Sequence, residues 1–272
     1  MLGRPFREIS CVLVSISCLF LLIVTGCSSS LELSSGWTNQ KFAISGDGSQ
    51  WKDGTKFIAG PAVSVGFKND NKYLYIGLIT SSRATQLQML FLGCTAWFDA
   101  EGEKNKTFGI QFPVSGLLQG RRFPTRANPE EIEQFINAVP RQLVICGPGE
   151  NEQHRISLRD AKGVEARLGY ADGTLTYELK VPLQRSKEEP YAINADTTKP
   201  LLVGIETGDL AEAMKGQSGA SSSSQSAGGR GQSGRRSGGG SGGGADQGSG
   251  SEMPEPLKHW ITVHLSNGST AK

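Results

Sequence analysis

Apolar residues alternate with others along Gly60 to Ala100 more regularly than anywhere else in the chain. Val63, Val65 and Phe67 alternate with Ala62, Ser64 and Gly66. Beyond Asn69, Asp70 and Asn71, residues Leu74, Ile76 and Leu78 alternate with Tyr73, Tyr75 and Gly77. A period of two on both sides of an Asn/Asp turn predicts an antiparallel hairpin with one aliphatic face. The run from Leu87 to Asp99 is apolar on both alternations, which predicts a central strand covered on both sides.

Short runs of the same kind recur at 42–44, 107–114, 142–146, 154–158, 164–170, 174–181, 201–205 and 260–265. Phe108, Ile110 and Phe112 share a face. Leu175, Tyr177, Leu179 and Val181 oppose Thr174, Thr176, Glu178 and Lys180, and Asp172-Gly173 predicts a tight hairpin just before them. One helix is announced by Asn128 as cap, Pro129 at the first helical position and Glu130 and Glu131 at the positive end of the dipole. Its buried stripe is Ile132, Phe135, Ile136 and Val139, and Pro140 ends it. Roughly ten short strands and one helix predict an all-β fold, an antiparallel β-sandwich. Residues 216–251 are almost wholly Gly, Ser, Gln and Arg, with too little apolar surface to offset the entropy of ordering them. Because the strand at 260–265 follows, they read as a disordered Gly/Ser-rich insertion inside the domain.

The N-terminus has its own pattern. Arg4 and Arg7 precede an apolar run from Cys11 to Val24 that is short for a membrane span, followed by Thr25-Gly26-Cys27-Ser28. Basic, apolar and small segments in that order predict a secretory signal peptide. The Val24-Thr25-Gly26-Cys27 tail resembles the lipobox of bacterial lipoproteins, which implies cleavage before Cys27 and acylation of its sulfur. At about 0.8 kcal/mol per buried methylene, several acyl chains hold a protein on a membrane without crossing it. Ser28 after that cysteine, where an Asp favours inner-membrane retention, implies the bacterial outer membrane. The domain boundaries that follow are a leader at 1–26, a lipidated tether at 27–36, a sandwich at 37–268 and a tail at 269–272.

Removing the leader takes away two positive charges and one negative, so the formal charge of +2 becomes about +1. A near-neutral chain gives no electrostatic case for nucleic acid. With Cys11 and Cys18 gone and Cys27 taken by lipid, Cys94 and Cys146 either pair as a disulfide or stay as two separately buried thiols.

Four segments together are similar in order and spacing to a known family: Ala43-Ile44-Ser45-Gly46-Asp47-Gly48-Ser49-Gln50-Trp51; the Leu74-Tyr75-Ile76 strand after its turn; Thr95-Ala96-Trp97-Phe98-Asp99; and Gly173 to Pro182. They resemble the carbohydrate-binding family 9-like, or DOMON-like, β-sandwich of jelly-roll type. Members of that superfamily hold sugars between aromatic rings and polar side chains, or haem through axial His, Met or Lys. A shared fold does not choose between them.

Sugar recognition needs flat aromatic faces with polar groups beside them. Trp51, Tyr73, Tyr75, Trp97 and Trp260 are the aromatic candidates, and Arg83, Asp99 and Glu206 the polar ones. Trp51 and Trp97 serve equally as core residues, and the tyrosines as a sheet border. For haem the candidates are His154, His259, His264, Met89, Met214 and Met253, with His264 expected to face outward. Asp47 with Asp53, and Asp99 with Glu101 and Glu103, are acidic clusters that suit solvated turns or calcium. No cofactor is required by the pattern. No nucleophile elbow, HExxH or phosphate loop occurs, so the expectation is a binding module and not an enzyme. Its partners would be the membrane, through the lipid, and a saccharide or envelope glycan. The alternative is a structural or protein-interaction lipoprotein without a small ligand.

Overall fold

The alternation of Val63 to Phe67 and of Leu74 to Leu78 builds the centre of one sheet. In a computed structural model, described here for residues 31–39, 42–114, 127–147, 152–209 and 255–268, these runs are β4 (Val63–Asn69) and β5 (Tyr73–Thr80), paired antiparallel. Before them come β1 (Leu31–Ser34), β2 (Gly36–Trp37) and β3 (Thr55–Ile58). Helix α1 (Arg83–Leu92), β6 (Cys94–Asp99), β7 (Phe108–Gln111), helix α2 (Pro129–Ala138), β8 (Gln142–Cys146) and β9 (Gln153–Ser157) follow. The last are β10 (Glu165–Ala171), β11 (Thr174–Pro182), β12 (Leu201–Thr207) and β13 (Lys258–His264).

The strands form two mixed sheets stacked as a sandwich. The larger has the order β1-β13-β12-β6-β7-β8-β9. The smaller has the order β10-β11-β5-β4-β2, with β3 also on β4. All described strand pairs with a stated register are antiparallel except β2 with β4, which are parallel. Val63, Val65, Leu74, Ile76, Leu78, Leu175, Tyr177, Leu179 and Val181 from the smaller sheet meet Cys94, Ala96, Phe98, Ile110, Leu143, Ile145, Val203, Ile205, Ile261 and Val263 from the larger. All are at most 4% exposed. Burying each large aliphatic side chain contributes about 1.5–3 kcal/mol before the entropy of ordering is subtracted.

Local chemistry explains the elements. Asp172 (φ 50°) and Gly173 (φ 77°) occupy the two left-handed positions of a tight turn, so Ala171 faces Thr174 across the hairpin. Helix α2 carries a full capping box. The Asn128 side chain accepts from Glu131 N–H at 2.8 Å, and the Glu131 carboxylate accepts from Asn128 N–H at 2.7 Å.

Three expectations need correcting. The central strand expected over Leu87 to Asp99 is a strand only from Cys94; Arg83–Leu92 is a second helix. Ser82 caps it, Gly93 (φ 80°) ends it, and its Ala, Gln, Leu and Met are good helix formers with few β-branched neighbours. It is buried nearly all round, Gln86 and Gln88 included, which produces the same two-sided apolar pattern as a central strand. The strand expected at 42–44 is irregular chain lying over the smaller sheet. The tether expected up to residue 36 is already strand from Leu31, with β1 on the larger sheet and β2 on the smaller.

The chain changes sheets at Ser35, where it is stitched to the end of the last strand. Ser266 N–H donates to Ser35 Oγ and to Asn69 Oδ1, both at 3.0 Å, and Asn69 Nδ2 donates to Ser266 O at 3.0 Å. At the far side of β12, Thr207 N–H donates to Leu257 O at 2.8 Å and Leu257 N–H to Thr207 Oγ1 at 3.0 Å. The leader, Cys27 and the 216–251 insertion lie outside the described residues.

Candidate functional site

Register places the predicted aromatic residues on different faces. In β5 the side chains of Tyr73, Tyr75 and Ile79 point away from the sandwich interior, together with Lys68 of β4 and Glu178 and Lys180 of β11. This outer face of the smaller sheet is covered by the 42–51 segment. The indole of Trp51, 1% exposed, lies where Gly66 and Gly77 lack side chains: a β-carbon on Gly77 would sit 2.4 Å from Trp51 Cδ2. Phe42 meets the Trp51 ring edge-on at 5.1 Å, and Lys68 Nζ stands 5.0 Å from the Phe42 ring centroid. The buried carboxylate of Glu178 is held by Trp51 Nε1–H at 2.9 Å and Gly46 N–H at 2.6 Å.

Trp51 and Tyr75 are therefore packing residues with no face left for a ligand. Tyr75 is fully buried, its hydroxyl donating to Asp70 Oδ2 at 2.7 Å. Burial first, then that carboxylate, pushes the phenol far above its ordinary range. Tyr73 is only partly buried, but its ring is roofed by Lys180 Nζ at 4.0 Å and its hydroxyl donates to Glu189. The Glu189 bond, then burial, raises its pKa to about 12. Lys180 also pairs with Glu165 at 2.7 Å.

Arg83 is occupied too. Its guanidinium donates to Gln86 Oε1 at 2.9 Å and to the Tyr170 hydroxyl at 3.0 Å, clipping α1 to β10. Asp99, 2% exposed, closes the turn after β6 by accepting from the N–H groups of Glu101, Gly102, Glu103 and Asn105 at 2.8–3.2 Å. Burial pulls its pKa up, but four backbone donors outweigh burial and hold the carboxyl below its usual range. Asp47, in the other acidic cluster, caps the 3-10 turn at 48–51 through Ser49. Among the described residues no group of three or more His, Cys, Asp or Glu side chains is placed to hold a metal ion.

Trp97, Trp260 and Glu206 do come together. Gly204 of β12 pairs with Trp260 on one side and Trp97 on the other, and Trp97 pairs in turn with Gly109 of β7. Residues opposite one another in antiparallel strands share a face. Trp260, Gly204, Trp97 and Gly109 thus form one row across the outer face of the larger sheet. Each indole lies over the next glycine: a β-carbon on Gly204 would sit 3.0 Å from Trp260 Cε2, and one on Gly109 2.6 Å from Trp97 Cε3. Both rings lie against the sheet, partly exposed, two strand spacings apart, or about 9.6 Å.

Glu206, one step along β12 on the same face, accepts from Trp97 Nε1–H at 3.1 Å and pairs with Lys106 at 2.6 Å. Lys106 Nζ stands 5.6 Å from the Trp97 ring centroid. Lys106, Gly109 and Gly204 were not singled out by sequence. A lone glycine inside a strand is the available signal that a large group passes close by, but only register says which group.

The remaining candidates separate. Cys94 and Cys146 are buried free thiols. Register puts Cys94 on the interior face of the larger sheet and Cys146 on its outer face, so a disulfide between them is ruled out by parity alone. Burial pushes the Cys94 thiol up to about 12 and raises Cys146 as well. His154 lies on β9 and His259 and His264 on β13, five strand spacings away, or about 24 Å, too far to share one haem. His264 is exposed, as its phase along the strand predicts, and Met89 is buried in α1; Met214 and Met253 lie outside the described residues.

No protein-family model matches the chain, and no curated protein matches it in sequence. Among solved structures it is similar to a family 9 carbohydrate-binding module from Caldicellulosiruptor kristjanssonii. In the glucose complex the TM-score is 0.35 at 8% identity, over 65% of this chain and 78% of the module. In the cellotriose complex the values are 0.37 and 6%, over 89% and 97%.

Proposed function

We propose that this chain is a non-catalytic glycan-binding module, extracytoplasmic and tethered to the bacterial outer membrane by lipid on Cys27. The observation that carries the binding half is the row Trp260, Gly204, Trp97, Gly109. Two indoles lie against an outward sheet face, and Glu206 and Lys106 beside Trp97 supply an acceptor and a donor for sugar hydroxyls. Aromatic faces offer large rigid area at little conformational cost, and a polar rim fixes orientation. The spacing of the two rings is about the reach of a disaccharide or trisaccharide, so short oligosaccharides are the ligand class. The anchoring half rests on the Val24-Thr25-Gly26-Cys27 motif after its apolar run.

Tryptophan fluorescence titrated with glucose and cellotriose, followed by a glycan array, tests the binding. Quenching by a saccharide is expected, with Trp97→Ala or Trp260→Ala weakening it at least about tenfold, equivalent to about 1.4 kcal/mol. The buried Trp51→Phe variant should keep the response. Silence toward every saccharide would leave a structural lipoprotein in its place. For the anchor, Cys27→Ser should release the protein from the membrane fraction and abolish incorporation of labelled palmitate; retention of both would refute it.

A further inference from the structure

On the open flank of the sandwich, where the chain passes from the edge strand β9 of one sheet to the edge strand β10 of the other, there is a cavity of about 410 Å³. Its apolar lining includes Phe112 beyond β7, Ile136 and Val139 at the end of α2, and Leu168 of β10. Arg141 and Arg159 stand around the same space, and Arg167 adds to its wall from β10, with its side chain on the strand face opposite to that of Leu168. We infer that this cavity binds an organic anion: a phosphate or carboxylate held by the guanidinium groups of Arg141 and Arg159, on an apolar body that fills the floor between α2 and β10.

The charge is unspent. Among the described residues, none of the three guanidinium groups has a hydrogen-bonded or ion-paired partner. Arg83, by contrast, is satisfied within the fold. Asp160, next to Arg159 in the chain, pairs with none of the three. Planar guanidinium forks match the paired oxygens of carboxylate and phosphate.

Two of the arginines are also placed by firm backbone. Leu158 N–H donates to Arg141 O at 3.0 Å, so Arg141 and Arg159 leave adjoining chains at one rim. The turn that carries Arg159 is braced by Asp160 N–H and Ala161 N–H donating to Ser157 O at 2.9 and 3.1 Å, and by Arg159 N–H donating to Ser157 Oγ at 3.2 Å. Ala161 and Val164, 2% exposed each, pin the same turn to the core. The cavity lies within the size range of small-ligand pockets, and its occupant is amphipathic because its walls are.

Isothermal titration of the full chain with hexyl phosphate tests the inference independently of the saccharide reading. Hexyl phosphate is expected to bind more tightly than inorganic phosphate and more tightly than hexanol, and to weaken as salt is raised. Arg141→Ala and Arg159→Ala each remove a charge-assisted partner and should weaken it about tenfold or more, while saccharide quenching of tryptophan fluorescence is unchanged. Both arginines are exposed, so the variants should keep the wild-type melting temperature. Arg-dependent sedimentation with phosphatidylglycerol vesicles, but not phosphatidylcholine vesicles, would make the source a lipid headgroup. Hexyl phosphate binding without vesicle binding would make it a soluble anion. No heat with hexyl phosphate, or equal affinity in both arginine variants, overturns the proposal.

Discussion

Gly77→Ala should be destabilising only because Trp51 is there, and a double-mutant cycle shows it. In the native fold a β-carbon on residue 77 would meet Trp51 Cδ2, Cε2 and Cε3 at 2.4–2.8 Å, well inside contact distance. The fused ring cannot swing aside: it is 1% exposed, its Nε1–H is committed to Glu178 at 2.9 Å, and Phe42 closes its edge at 5.1 Å. Overpacking of this kind costs about 1–3 kcal/mol, and the upper end applies because relief would also strain a hydrogen bond to a buried carboxylate. Trp51→Ala alone should cost about 3–5 kcal/mol. With the indole gone, the three nearest atoms around the added β-carbon are gone too, and the alanine removes about 0.5–1 kcal/mol of backbone freedom that glycine costs a strand. The coupling between the two sites is therefore about 2–4 kcal/mol, against the few tenths expected of residues that do not touch. Urea unfolding followed by circular dichroism measures all four proteins. At about 2–4 °C per kcal/mol for a domain of this size, the thermal signature is also well outside error. If Gly77→Ala costs the same in both backgrounds, the indole does not occupy the place assigned to it.

Asp99→Asn should lower stability by about 1.5–3 kcal/mol at neutral pH, since an ionised acceptor of four backbone N–H groups is replaced by a neutral one. The folded carboxyl titrates below its ordinary value of about 3.9. Its contribution is thus complete above that value and lost as pH falls through the depressed one, so the gap between wild type and variant should close in acid. Urea midpoints at pH 7 and pH 3 would show no such closing if the turn were held otherwise. Alkylation without reductant should leave Cys94 and Cys146 unmodified in the folded protein and label both once it is unfolded, read by intact mass. A pair resistant to alkylation after unfolding would contradict the placement of the two sulfurs on opposite sheet faces.

What the sequence made legible was whatever a single segment decides. The inner faces of β4, β5 and β11 follow from a period of two. Helix α2 follows from Asn128, Pro129 and Glu131, and the last hairpin turn from Asp172-Gly173. Arg83–Leu92 misled because a helix buried on all sides and a strand buried on both leave the same two-sided apolar run, and only the cap at Ser82 and the stop at Gly93 separate them. The site was half legible. Trp97, Trp260 and Glu206 were among the candidates, but so were Trp51, Tyr75, Arg83 and Asp99, which the fold consumes for its own stability. What divides the two groups is parity across paired strands distant in the chain. Trp97 and Trp260 share a face through Gly204, while Cys94 and Cys146 are separated by the same rule.

The clamp between Thr207 and Leu257 bears on how this protein can be extended. Two hydrogen bonds join the residue where β12 ends to the one that leads into β13, so Thr207 and Leu257 are held side by side although they lie far apart in the sequence. Closure entropy grows only with the logarithm of loop length, so a connection of any length between two ends already held together adds little to the entropy of ordering the domain. The seam at Thr207 and Leu257 is therefore a place where a reporter or a second module can be grafted with its two ends already close together.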